Sequence, residues 1–261
     1  MAKLLFSSGF EGDISLSAIN GETQSIIGTD SATGASWPTG LWNGTSRIQV
    51  LTGGGSPSGV IQNSIDTVTG HDGSQTRALH LGVDQKVQDV TQDPLLIEPG
   101  QDPGDFYISQ WIKLPANLGQ QLGPGGWMTV GPEWKTAGDF RSITYVAVDG
   151  SGNPYWRMKW DTNANGNVPL ETHFDESNTS VAVPLGEWIH VESFTHRGDS
   201  DGRTWLKING ETVFDHTGDN IGQNNAPIDR IFLANPYANN AVDILVDDIQ
   251  IWDGVPPAGT S

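Results

Sequence analysis

The stretch from Pro184 to Asp215, PLGEWIHVESFTHRGDSDGRTWLKINGETVFD, constrains the fold more than any other. Ile189, Val191 and Ser193 alternate with Trp188, His190, Glu192, Phe194 and His196. A period of two gives a strand with one small or apolar face and one polar and aromatic face. GDSDG supplies a turn, because Asp-Gly and Gly-Asp tolerate positive φ. RTWLKI reads as the return strand, and Asn209-Gly210 as a second tight turn. The middle of the chain is therefore expected to form an antiparallel meander.

The same pattern recurs elsewhere. RALHLGV (77–83) and FYISQWIKLP (106–115) read as strands, and RSITYVAVDGSGNPYWRMKWDT as a hairpin about Asp149-Gly150-Ser151-Gly152. Its second arm sets Tyr155, Arg157, Lys159 and Asp161 on one face and Trp156, Met158 and Trp160 on the other. RIFLANPY and VDILVDDIQIW read as the last strands. Three segments read as connections. Residues 20 to 60, with Trp37 and Trp42, look like a long surface excursion containing the flexible run GGGSPSG. QDVTQDPLLIEPGQDPGD looks like a proline-broken link, and TNANGNVPLETHFDESNTS like a polar loop. No internal repeat is visible, so one domain is expected over 1–254, with 255–261 a tail or linker stub.

The run of a tryptophan (Trp188), an alternating strand, Asp201-Gly202-Arg203, a strand and Asn209-Gly210 resembles the concanavalin-A-like lectin/glucanase superfamily. It looks closest to the heparin-lyase-like jelly-roll polysaccharide lyases, with Tyr107-Ile108-Ser109-Gln110-Trp111-Ile112-Lys113-Leu114-Pro115 in the place of a family strand. The resemblance spans roughly residues 75 to 252. It implies an all-β fold, an antiparallel two-sheet jelly-roll sandwich with a concave face, and a polysaccharide as partner. The chain carries none of the Arg-x-Glu, Gln-Ile-His or Tyr-x-Lys-x-Gly signatures of the alginate-lyase relatives; Trp188-Ile189-His190 stands nearest to the second.

Composition narrows the function classes. A net charge of −18, from 31 Asp and Glu against 13 Lys and Arg, argues against duplex nucleic acid, whose phosphates need a basic footprint, and against a membrane surface. Cysteine is absent, which excludes disulfides, thiolate metal sites and thiol nucleophiles. Ten tryptophans exceed what a core of this size needs, so some are expected on an exposed binding face. Met-Ala-Lys-Leu-Leu-Phe is too short and too quickly polar for a signal peptide. An extracellular or virion-associated monomer is expected.

Five of the 13 cations, Lys113, Lys135, Arg141, Arg157 and Lys159, fall between positions 113 and 159. A lyase acting on an acidic polysaccharide must neutralise the uronate carboxylate to acidify the α-proton, and must then move that proton. Tyr145, Tyr155, His173, His190, His196 and Tyr237 are the available proton carriers. Tyr145, Arg157, Lys159 and His190 are the expected catalytic residues, with Glu192 orienting His190. Gln110, Trp134, Lys135, Arg141 and Tyr237 are the expected substrate contacts. Retaining glycosidases of this fold place Glu-x-Asp-x-x-Glu on one strand, and no such run exists; Glu171, Asp175 and Glu176 have the wrong spacing. Glu11 and Asp13 near one end, and Asp247 and Asp248 near the other, resemble the structural Ca²⁺ site of carbohydrate-binding jelly rolls. Hard oxygen ligands suit that ion. If Leu245, Ile249 and Ile251 face the core, Asp247 does too. The leading expectation is a lyase cleaving an acidic polysaccharide by β-elimination. The alternatives are a non-catalytic carbohydrate-binding module and a virion or surface adhesion protein.

Overall fold

The computed structural model describes residues 1–52, 55–84, 91–92, 94–162, 170–238 and 240–257. Strands Phe106–Lys113, Phe140–Val148, Pro154–Thr162, Trp188–His196 and Arg203–Ile208 form where alternation predicts them. They belong to two antiparallel sheets that make a jelly-roll sandwich. Among the described residues, one sheet has eight strands and the other nine. In the first, the meander Trp188–Thr217 leads to Phe106–Lys113, then to Val242–Trp252, Gln75–Val83 and Ser64–Thr69. Leu4–Ser8 also pairs with Val242–Trp252. In the second, Thr172–Asn178 borders the hairpin Pro154–Thr162 and Phe140–Val148. Glu133–Thr136, Ile228–Ala234, Leu95–Glu98, Thr45–Gln49 and Thr23–Gln24 follow.

The core lies between the sheets. Ile108, Ile112, Ile189 and Val191 fill it from one side, and Val146, Trp156, Met158 and Trp160 from the other. Hydrogen bonds tie the layers together, among them two from buried side chains. Gln110 Nε2 donates to the Leu233 carbonyl at 2.6 Å, and Trp134 Nε1 donates to Thr195 Oγ1 at 3.2 Å.

The segments read as connections hold strands. Residues 20 to 60 contain Ile26–Thr29 and Thr45–Gln49, and Trp37 is buried. Its indole donates to Ser8 Oγ at 3.0 Å and meets Phe6 edge-on at 4.9 Å. Leu95–Glu98 is an interior strand in which Leu95, Leu96 and Ile97 are wholly buried. Thr172–Asn178 is an edge strand. The flexible reading of 53–54, the loop reading of 163–169, parts of the proline-broken link (88–90 and 93) and the end of the tail (258–261) lie outside the described residues.

Two further expectations are corrected. Every tryptophan is buried or half-buried, and the indoles of Trp37, Trp134, Trp156 and Trp188 give their N–H groups to protein acceptors. The last strand does not keep one parity. Ile244 and Val246 face the core before a bulge, and Ile249 and Ile251 after it, while Leu245 is only half-buried. Asp248 sits at the bulge with φ of 47°. A bulge shifts the phase of alternation by one residue. Asp247, next to core-facing Val246 and opposite Trp111, is buried on the outer side of the sheet, beside Thr76.

Candidate functional site

The outward face of the nine-stranded sheet carries the densest set of titratable groups from the sequence reading. Trp156, Met158 and Trp160 point into the core, so Tyr155, Arg157, Lys159 and Asp161 point out. On the adjacent strand, Ser142, Thr144 and Val146 point in and Arg141, Ile143 and Tyr145 point out. Pairing sets Tyr145 opposite Arg157, and Arg141 opposite Asp161. On the other flank Asp175 lies opposite Lys159. Trp127, Tyr145, Tyr155, Arg157 and Lys159 line a pocket of about 220 Å³, together with Ala147, Gly125 and Gly126. Trp127 meets Tyr145 edge-on at 5.8 Å and Tyr237 at 5.3 Å.

The cations of this face are already engaged. Arg157 grips Asp175 with two bonds of 2.8 Å. Lys159 Nζ lies 3.0 Å from Asp161 and 3.6 Å from Asp175. Arg141 Nε donates to Asp161 at 2.8 Å, and Lys135 pairs with Asp139 at 2.5 Å. Burial pushes the Tyr145 phenol up to about 12, with Arg141 pulling the other way. Glu133 shares the outward parity of Lys135 and was missed by the sequence reading. Its carboxyl is pushed up to about 7, chiefly by burial, against the pull of Asn235, Arg141 and Lys135. Asn235 Nδ2 donates to Glu133 Oε1, whereas Glu133 Oε2 and Asn235 Oδ1 are buried with no hydrogen-bond partner. The alternation Glu133-Trp134-Lys135 would have found it, since a buried Trp134 puts both neighbours on the outer face.

Three expected site residues lie elsewhere. Gln110 is wholly buried between the sheets, because it shares the parity of Ile108 and Ile112. Trp134 is buried there too, on Thr195. His190 is on the eight-stranded sheet, on the far side of the sandwich from Tyr145. Its Nε2 lies 2.7 Å from Ser109 Oγ, and its ring stacks on Trp111, which stacks in turn on His71 at 3.9 Å. Glu192 lies beside it, 3.8 Å from Nδ1, and accepts from the Tyr107 hydroxyl at 2.8 Å. Lys113, another of the five cations, is on that sheet as well.

The acidic residues near the two ends of the chain also converge. Thr76 Oγ1 stands between Glu11 Oε1, at 2.9 Å, and Asp247 Oδ2, at 3.2 Å. Glu11 also accepts the Arg77 amide at 2.9 Å, and Asp247 accepts the Asp248 amide at 2.8 Å. Asp248 reaches His71 at 3.0 Å. Burial pushes the Asp247 carboxyl up to about 7, helped by the charges of Asp248 and Glu11. Asp13 is apart, accepting the Thr29 amide at 2.7 Å. Asp30, which the sequence reading missed, is buried and accepts the amides of Gly9, Glu11, Ala32 and Thr33. Among the described residues, no group of three or more acidic or histidine side chains is arranged to hold one metal ion.

No protein-family model matches the chain, and no curated protein does. Several solved structures are similar at low identity. Alginate lyase Aly36B is 15% identical over 76% of this chain and 85% of its own, with a TM-score of 0.49. The endo-β-1,4-glucuronan lyase from the fungus Trichoderma reesei is 12% identical over 73% of this chain and 87% of its own, with a TM-score of 0.47. The binding domain of Botulinum neurotoxin DC, in complex with rat synaptotagmin II, is 12% identical over 94% of this chain and 48% of its own, with a TM-score of 0.48. Each of these three TM-scores is below 0.5, so the functional reading rests on the site.

Proposed function

We propose that the chain binds an acidic polysaccharide on the outward face of its nine-stranded sheet and cleaves it by β-elimination. The observation that carries the reading is the direct pairing of Tyr145 with Arg157 at a pocket that Lys159 and Trp127 also line. Arg157 and Lys159 take the uronate carboxylate. Neutralising that charge acidifies the α-proton beside it. Tyr145 moves the proton. Its phenolate accepts the α-proton, the bond from the β-carbon to the glycosidic oxygen breaks, and the phenol returns the proton to the leaving oxygen. The products are a new reducing end and an unsaturated uronate end, and no co-reactant is consumed. Trp127 supplies an apolar ring wall beside the sugar. The test is a screen of uronate-containing polysaccharides for the ultraviolet absorbance of the unsaturated end. Absence of that product from every acidic polysaccharide overturns the lyase reading.

A non-catalytic binding module is the second reading. It needs a strip of exposed flat rings, and here Trp127 is half-buried and packed edge-on against two tyrosines. Charged and phenolic groups dominate the pocket instead, which favours the lyase.

We also propose structural Ca²⁺ at Glu11, Asp247 and Asp248, whose carboxylates would have to turn toward one another to hold it. What supports it is a buried Asp247 crowded by two further carboxylates, since a buried acid needs a cation or a hydrogen-bonding network. The Thr76, Arg77 and Asp248 donors form such a network already, so an ion would have to displace the Thr76 bridge. Excess chelator should then lower the melting temperature, and an unchanged melting curve overturns the assignment.

A further inference from the structure

We infer that Asp175 is an internal stand-in for the substrate: it occupies the carboxylate fork of Arg157 in the free protein, and a uronate exchanges with it on binding. The inference rests on the reading of this face given above, and it makes Asp175 a specificity-determining residue that no sequence expectation assigned.

The geometry has three parts. First, Arg157 Nε and a terminal nitrogen hold the two oxygens of Asp175 at 2.8 Å each, the two-pronged arrangement by which guanidinium binds a free carboxylate. Second, Lys159 lies 3.6 Å from the same carboxylate, so Asp175 has the two cations that a uronate in the pocket would need. Third, Asp175 is held on one side only. Thr172–Asn178 is an edge strand that pairs with Pro154–Thr162, and its one buried residue is Phe174. Phe174 anchors the strand in the core while Asp175, of opposite parity, stays partly exposed at 31%. Arg157 beside it holds the Asp175 carboxyl below the usual carboxylate range, so it is an anion throughout the neutral range.

Charge balance gives the exchange its purpose. On this face Lys135, Arg141, Arg157 and Lys159 are in contact with Asp139, Asp161 and Asp175. Arg157 is thus never an unpaired cation, and the pocket does not collect small anions by charge. A uronate that enters takes over the Arg157 fork and the Lys159 contact, and Asp175 turns to solvent on its exposed edge strand. Each positive group stays paired before and after. A neutral sugar offers nothing to replace Asp175 and leaves the pair intact, so the pair discriminates by substrate charge.

The test measures KM and the direct dissociation constant for a soluble polyuronate with the full chain. Asp175→Asn should lower both by about two- to fivefold, the worth of an exposed ion pair no longer displaced. Asp175→Ser should act in the same direction, and Asp175→Glu should restore the weaker binding. Asp215→Asn is the control, because Arg203 grips Asp215 with the same two-pronged geometry on the other sheet. It removes the same charge from the molecule without touching the pocket, and should change neither constant. Unchanged or weaker binding by both Asp175→Asn and Asp175→Ser overturns the inference. So does an equal gain from Asp215→Asn, which would make the effect one of overall charge. If wild type binds polyuronate without cleaving it, the lyase reading fails while the dissociation constants still decide the role of Asp175.

Discussion

Tyr145 and Arg157 face one another directly across two antiparallel strands, at the sixth position of Phe140–Val148 and the fourth of Pro154–Thr162. Side chains opposed in this way lie within contact range of one another. Removing either should therefore act on the pocket and leave the sheet standing.

Arg157→Ala should abolish release of unsaturated ends from an acidic polysaccharide. Its guanidinium is 38% exposed and its partner is also partly exposed, and such pairs contribute only about 0–1 kcal/mol. The melting temperature should fall by no more than about 4 °C. A variant that keeps wild-type turnover removes Arg157 from the site.

The reaction should speed up with alkalinity. Burial pushes Tyr145 up to about 12, so the phenolate is scarce at neutral pH and rises about tenfold per pH unit below that value. Initial rates between pH 7 and 9 should follow it, and Tyr145→Phe should erase both the rate and the slope. A flat profile over this range would assign the proton transfer to another group.

Glu133 should make the fold less stable as pH rises. Its carboxyl, raised to about 7 chiefly by burial, holds its proton in the folded chain after an unfolded chain has lost it. The native state therefore binds more protons between the ordinary carboxylate range and about 7. Stability is full below that window and is lost as pH climbs through it, on the order of 3 kcal/mol in all. Glu133→Gln keeps the shape and the Asn235 contact without a charge to bury. Its melting temperature should exceed that of wild type at pH 8 and match it at pH 4. Equal melting of the two proteins at pH 8 would show that Glu133 is not protonated by its surroundings.

His190→Ala should leave turnover unchanged, because the imidazole is on the opposite sheet from Tyr145. It should cost about 1–2 kcal/mol of stability, since Ser109 loses its 2.7 Å partner and Trp111 one of its stacked rings. Turnover lowered tenfold or more in a folded variant would move the active face to that sheet.

Much of the scaffold was legible in alternation alone. Trp188–His196 has one wholly apolar or small face, Phe106–Lys113 has one that is apolar but for Gln110, and both form as read. Gln110 was misplaced although its parity with Ile108 and Ile112 was plain, because an amide in a core has to be granted a partner that the sequence does not show. Here that partner is the Leu233 carbonyl, 123 residues away. Leu95–Glu98 was hidden between Pro94 and Pro99, and Thr172–Asn178 by its lone inward-facing Phe174. A strand at a sheet's edge has little apolar signal to give. The cations of the site were legible as a cluster, and Asp161 as their neighbour on the face of Lys159, but the partner Asp175 was not, since it pairs with Arg157 across strands and not along one.

The strand Val242–Trp252 is the latest in chain order among the described elements, yet it lies between Phe106–Lys113 and Gln75–Val83 in the middle of its sheet. During synthesis that slot stays vacant until the ribosome has released nearly all of these residues. The two half-sheets on either side must wait with unpaired inner edges, and contacts of such long sequence separation are slow to close. A nascent chain stalled short of Val242 would present two open β-edges at once, and chaperone capture or mispairing at that stage would limit its yield.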